Sequence, residues 1–276
     1  MPHRQEPVLK VVKLTVRRYW KVYRSFFTSS FARELEFKAN FIAKIFRNLS
    51  WIFFFVMVLL VIYGKTNSVA GWSRGEAFVL ASSIFLMNAI FNAFFFSLQD
   101  IPSQIRLGTM DFVVTKPMDT QFWVSCRRFN FDQIGETCAG LILLWIGVHT
   151  ANIHASIAQW LSYSVMVFMA IALFYSFCLT LMTTAIWLVR VDNLWVLGES
   201  VIGVARYPID IYSSPVRRFL TNVVPLAFLA TMPARQLVYG VDAVAVLESL
   251  AWAAVALLVS RTFWRYAMRH YTSASS

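Results

Sequence analysis

Between Thr137 and Val189, a run of 53 residues, the chain has no Asp, Glu, Lys or Arg. Charge is scarce throughout: charged residues make up 14% of the sequence and hydrophobic ones 58%, whereas average chains carry about 25% charged residues. A soluble helix of that length needs a polar face, which the run does not supply. A helix rises about 1.5 Å per residue and a bilayer core about 30 Å thick takes roughly 20 apolar residues to cross. The run therefore holds two spans and a turn. The turn falls at His149–Ala158, where His149, Thr150, Asn152, His154 and Ser156 gather. The chain reads as a membrane protein, with a mean hydropathy of +0.60.

Other absences narrow the chemistry. Cys126, Cys138 and Cys178 are the three cysteines and form no CxxC pair, which excludes a cysteine metal cluster and points to structural thiols. No glycine-rich loop follows a strand. Gly64-Lys65-Thr66 resembles the end of a phosphate-binding loop, but the earlier glycine it requires is replaced by Leu59, so this chain is not expected to bind ATP. There is no HExxH and no GxSxG, and the carboxylates in apolar segments have no positioned base. No catalytic residue, no metal site and no enzyme activity are expected. Acidic residues number 14 against 25 Lys and Arg, a net charge of +11. In a soluble protein that excess would suggest nucleic acid. Here basic loops held on the cytoplasmic side are the simpler cause, and no nucleic-acid partner is expected. The basic, polar start of the chain lacks the short apolar core and small-residue site of a cleavable signal.

What is present divides into spans and polar segments. Residues 8–47 read as an amphipathic N-terminal region. Lys10, Lys13, Arg17, Lys21 and Arg24 recur at steps of three and four, as do Val12, Val16, Tyr19, Tyr23 and Phe26 on another face. The basic row suits an anionic membrane surface and the aromatic row suits lipid, with contact to a cytosolic partner as the alternative. Apolar segments at 48–64, 77–99, 131–149, 159–188, 194–212 and 243–263 give six transmembrane helices. The segment 194–212 is the weakest, because it contains Glu199, Arg206, Pro208 and Asp210. Residues 213–235, interrupted by Pro225 and Pro233, read as an outer re-entrant or interfacial hairpin, since broken backbone at membrane depth needs protein or water around it. With both termini on one side, that side collects 19 Lys and Arg against 6 on the other, which predicts cytoplasmic termini.

Intramembrane polar groups are costly and mark the candidates for function. Glu199 either pairs with Arg206 or faces a polar pathway. Asn88 and Asn92, one turn apart, and the stripe Ser176, Thr180 and Thr184 either hydrogen-bond between helices or wall a substrate path. Asp132 and Glu136 are expected to form an ion-paired helix entrance with Arg127 and Arg128. Between the second and third apolar segments, residues 100–130 form a compact polar island of mixed charge, punctuated by Pro102, Gly108 and Pro117. A short helix there, fixed to the ends of two spans, can convert a partner's movement into helix tilting.

The island carries a family resemblance. Gly108-Thr-Met-Asp111-Phe112-Val-Val-Thr-Lys116-Pro117 resembles the cytoplasmic loop of the permease subunits of bacterial ABC exporters of the second class, in the subgroup about as long as this chain. Tyr19-Trp20, Glu34-Leu-Glu36-Phe-Lys-Ala-Asn40, Gly71-Trp72, Tyr207-Pro208-Ile-Asp-Ile-Tyr212 and Val224-Pro225 through Pro233-Ala234 extend the similarity over nearly the whole chain. The resemblance implies an all-α polytopic permease with an N-terminal elbow helix, a coupling helix and re-entrant helices before the last span. It implies a bacterial inner-membrane protein that pairs with an identical or sister permease. Two separately encoded ATPase subunits would hold ATP and Mg and drive an amphiphilic drug, peptide, lipid or glycan across. Gln104, Arg106, Gly108, Asp111, Phe112, Lys116 and Pro117 are then the ATPase-coupling candidates. Asn88, Asn92 and Glu199 are the candidates for the path. The alternatives are an integral-membrane lipid-modifying enzyme and an ion-coupled carrier that uses Glu199.

Overall fold

The computed structural model describes residues 8–36, 38–188 and 194–272, with side chains from Arg17 onward, and it is almost entirely helical. Helix α1 spans Val8–Glu36 and α2 spans Lys38–Tyr63. A two-stranded hairpin follows, β1 (Ser68–Val69) paired antiparallel with β2 (Trp72–Ser73). Ala70 at φ 50° and Gly71 at φ 86° turn it. Helix α3 (Arg74–Phe95) begins with a capping box between Ser73 and Glu76 and passes through a 3-10 turn into the island. The island holds α4 (Ile101–Arg106), α5 (Asp111–Val114) and α6 (Thr120–Cys126). Helices α7 (Gln133–Thr150) and α8 (Ile157–Thr183) form the expected helical hairpin, and its turn is shorter than His149–Ala158 because Ser156 caps α8 through Gln159. Helix α9 (Leu194–Ala205) leads to a 3-10 turn at Ile209–Ile211. Then come α10 (Ser214–Asn222), α11 (Thr231–Val238) and α12 (Ala243–Arg269).

Among the described residues four helical stretches are long and apolar enough to cross a membrane: Lys38–Tyr63, Arg74–Arg106, Ile157–Ile186 and Ala243–Arg269. Helix α7, with 18 residues, lies antiparallel along α3 and is more polar at its ends, where Gln133, Glu136 and His149 sit. The apolar segment 194–212 is not one helix. Its helix stops at Ala205 after 12 residues, a rise of only about 18 Å, and Pro208 follows the break with extended backbone. Asp210 thus lies outside α9, so its charge is not at mid-span.

Helix α3 is the centre of the bundle. Val79, Ile84, Met87, Ala89 and Phe91 are fully buried, with α7 on one side and α8 on another. Helix α8 in turn carries α12 and α11, and α2 rests against α7. Glycines allow the closest approaches. A Cβ on Gly147 would lie 2.8 Å from the Val79 backbone nitrogen and 3.0 Å from the Gly75 carbonyl oxygen, and one on Gly75 would collide with Ala151. Small residues at such crossings let helix backbones meet where hydrophobic exclusion cannot drive packing. The outer faces are apolar instead: Phe53, Phe54 and Val61 of α2 and Leu247, Leu258 and Val259 of α12 are exposed, as lipid-facing residues would be.

Candidate functional site

The bundle has two polar ends. At one, the hairpin β1–β2, the α7–α8 turn and the 209–242 region meet. Asp210 accepts from Trp72 Nε1 at 3.1 Å and from Arg235 Nη2 at 2.7 Å, and Arg217 pairs with it at 3.4 Å. Burial pushes the Asp210 carboxyl up, but the hydrogen bonds of Arg235 and Trp72 and the charges of Arg235 and Arg217 outweigh it and hold the carboxyl below its ordinary value. This one carboxylate offsets two arginines at this end, Arg217 and Arg235. At the other end lies the island, and its construction follows from its punctuation.

Pro102 sits in the first turn of α4, where its missing N–H costs nothing. Gly108 closes that helix at φ 68° in the left-handed region, its N–H donating to the Ile105 carbonyl at 3.2 Å. The chain then reverses into α5. Ile101, Met110 and Val113 point inward and are fully or nearly fully buried. Leu107 (69% exposed), Phe112 (71%) and Val114 point outward, and Arg106, Lys116 and Pro117 are exposed beside them. The single turn of α5 thus presents an apolar knob rimmed by basic residues.

Tethers from three directions hold this surface. Asp119 caps α6, accepting from the Phe122 N–H at 3.0 Å, and binds Arg261 of α12 through both carboxylate oxygens. Hydrogen bonds from Arg261 hold its carboxyl below the usual carboxylate range, against the effect of burial. Arg261 also donates to Gln121 Oε1 at 2.6 Å, and Gln121 donates to Tyr175 of α8 at 2.9 Å. Beyond α12, Tyr271 donates to Asp111 Oδ1 at 2.9 Å, and burial together with Asp111 pushes its hydroxyl up to about 12. From α1, Tyr19 accepts the Asp119 backbone N–H at 3.1 Å and stacks edge-on against Phe122, while Phe26 meets Trp123.

Against this geometry a family can be set. The family model described as ABC-2 family transporter protein matches residues 49–275. The chain belongs to the ABC-2 family of transporter proteins. It is therefore a multi-pass membrane protein and a permease of an ABC transporter, a membrane component of transport that is not itself catalytic. No curated protein matches the chain.

Within this ABC-2 permease the island candidates separate. Arg106, Phe112, Lys116 and Pro117 lie on the outer surface and Gly108 shapes the turn beneath them. Asp111 is half-buried and tied to Tyr271. Gln104 does not join them: it is 5% exposed, its side-chain amide is enclosed, and its backbone carbonyl accepts from Met110. The basic row of α1 leaves Arg17, Lys21 and Arg24 exposed, and the side chains of Lys10 and Lys13 lie outside the described residues. The aromatic row, read from sequence as a lipid face, instead packs on α6 through Tyr19 and Phe26.

Deeper in the bundle, Asn92 donates to Asn88 Oδ1 at 2.9 Å and Asn88 donates to Glu136 Oε1 of α7 at 3.4 Å, so this pair does bridge helices. The stripe on α8 does not: Ser176, Thr180 and Thr184 donate to their own backbone at Ala172, Ser176 and Leu181. Glu199 is half-buried and among the described residues makes no ion pair with Arg206, whose guanidinium lies 5.1 Å over the Trp51 ring. The helix entrance is also paired differently than expected. Arg127 and Arg128 bind Asp100 at 2.6 and 3.0 Å, not Asp132 or Glu136, because the 3-10 turn carrying Asp100 lies against α6. Sequence reasoning missed Arg261, Tyr175 and Tyr271 as holders of the island. The arginine, the lone basic residue within the last apolar segment, was the one local signal.

Proposed function

We propose that this chain is the transmembrane subunit of an ATP-driven exporter, with the island 100–130 as the surface on which a separately encoded ATPase docks. The observation that carries the reading is the exposed knob of Leu107 and Phe112 on a segment clamped at once to α1, α8 and α12. A push on Phe112 would reach Tyr271 through the neighbouring Asp111 and Arg261 through Asp119, so a partner's closure would tilt α8 and α12 together. ATP and Mg belong to that partner, present in two copies. A second permease, identical or a sister chain, completes the transporter. In this reading both termini face the cytoplasm of a bacterial inner membrane, α7 and the broken segment 194–212 add two crossings to make six, and α1 is the elbow helix.

The cargo is an amphiphile. A cavity of about 390 Å³ between α8 and α12, closed by Val223–Leu229, has an almost wholly apolar wall relieved by Ser176 and Thr180. Asn88, Asn92 and Glu199 would meet a polar portion of the same cargo. Family membership in transport weighs against the lipid-modifying enzyme, and the clamped knob against an ion-coupled carrier. The test is reconstitution with the partner ATPase. Phe112→Ala and Asp111→Ala are expected to leave assembly intact and cut cargo-stimulated hydrolysis and transport about tenfold. Unchanged coupling in both variants would remove the island from this role.

A further inference from the structure

A second cavity, polar where the first is apolar, lies beside the last residues of the island. It encloses about 300 Å³ between the end of α1, the start of α2 and the segment joining α6 to α7. That is the small end of the range for ligand pockets, room for a headgroup but not for a whole lipid. Arg33, Lys44 and Arg128 bring cations to its wall, and Phe96 and Phe129 supply apolar surface. Glu34 lies 3.6 Å from Lys44, and Asp100 takes both Arg127 and Arg128. Asp132, at the start of α7, faces Lys44 and Arg47. The wall of the cavity itself carries three cations, Arg33, Lys44 and Arg128, and one carboxylate, Glu34.

The imbalance falls on the cavity itself. Among the described residues no carboxylate lies within ion-pair distance of Arg33. Arg128 feels burial and the like charges of Arg127 and Arg33, with Asp100 opposing, and its pKa is drawn below the ordinary arginine value. Crowding of guanidinium groups in a half-buried site is relieved by an anion with several acceptor oxygens, and arginine forks suit phosphate. The position supplies the source of that anion. Immediately along α2 the exposed residues become Ile42, Phe46 and Leu49, which face lipid, so the cavity opens at the depth where headgroups sit.

We propose that the α1–α2 junction is a binding site for the phosphate headgroup of an anionic phospholipid, held by Arg33, Lys44 and Arg128, with its acyl chains along α2. The site rests on the membrane character of the chain and is independent of the coupling role of the island. A headgroup there would join α1, α2 and the 127–130 segment and fix the angle at which α1 crosses the island.

The test uses the full chain in a nonionic detergent, titrated by calorimetry with short-chain phosphatidylglycerol, the matching phosphatidylcholine and inorganic phosphate. Saturable binding of phosphatidylglycerol is expected, at least tenfold tighter than of the other two. Arg33→Gln and Lys44→Gln are each expected to weaken it about fivefold, whereas Arg218→Gln, an exposed cation on α10, leaves it unchanged. Arg33→Gln is the decisive variant because it breaks no ion pair, and the melting temperature without lipid checks that each variant is folded. Equal affinity for phosphatidylcholine, equal affinity for inorganic phosphate, or phosphatidylglycerol binding untouched by Arg33→Gln in folded protein would each overturn the assignment.

Discussion

Asp119 and Arg261 stand 142 positions apart, yet their paired contact decides how firmly the island is seated. Both side chains are about a third exposed, so solvent screening reduces the pair to about 1 kcal/mol. Arg261→Ala is expected to release α6 by that amount, seen as faster hydrogen exchange at residues 119–126 with the rest of the bundle unchanged. The carboxyl titrates below the usual aspartate value of about 3.9 in the folded chain. Its contribution is therefore present above that value and is lost as pH falls below about 4 toward the folded pKa. Island protection is expected to be flat from pH 5 to 8 and to fall in acid, and the fall should vanish in Asp119→Asn. Individual positions on the island were legible in type but not in direction. Phe112 and Gln104 belong to the same island, yet one points to solvent and the other is enclosed, because the left-handed Gly108 turns the chain between α4 and α5.

At the scale of elements, α3 and α7 show how spacing becomes packing. Gly140 and Gly147 lie two turns apart on one face of α7, where they meet Leu86 and Val79 of α3. Gly147→Ala would put a methyl against backbone and is expected to cost about 1–3 kcal/mol. Gly203→Ala on α9, with nothing within 4 Å, is expected to be neutral or stabilising by up to about 1 kcal/mol. Thermal unfolding in detergent separates the two, and equal effects would count against the close crossing. The long apolar helices were readable because hydropathy alone defines them. Helix α9 was not, since its length is set by where Pro208 and the 3-10 turn at Ile209–Ile211 redirect the chain toward Trp72, a contact with no local signature.

For the whole molecule, the two polar ends are built from different charges. The island end gathers α1, the island and the end of α12, while the hairpin end neutralises Arg217 and Arg235 on Asp210. If the positive-inside count sets the orientation, Lys116 faces the cytoplasm and Lys65 the outside. In a chain whose three cysteines are replaced by serine, Lys116→Cys is expected to react with an impermeant thiol reagent only in inverted vesicles and Lys65→Cys only in intact cells. Reaction of both from one side would refute the orientation.

The sequence by itself determined that the chain lives in a bilayer, where its apolar segments lie, and that residues 100–130 are a polar island between two of them. Those properties are local: they follow from the run of uncharged residues, from punctuation by proline and glycine, and from motif spacing. Only the tertiary structure decided which face of the island is presented, that Asp119, Asp100 and Asp210 choose Arg261, Arg127 with Arg128, and Arg235, and that Arg33 is left beside an open cavity. Such choices depend on which helices become neighbours. Charge pairing within a few ångströms follows the crossing of helices far apart in sequence, and no periodicity along the chain records it.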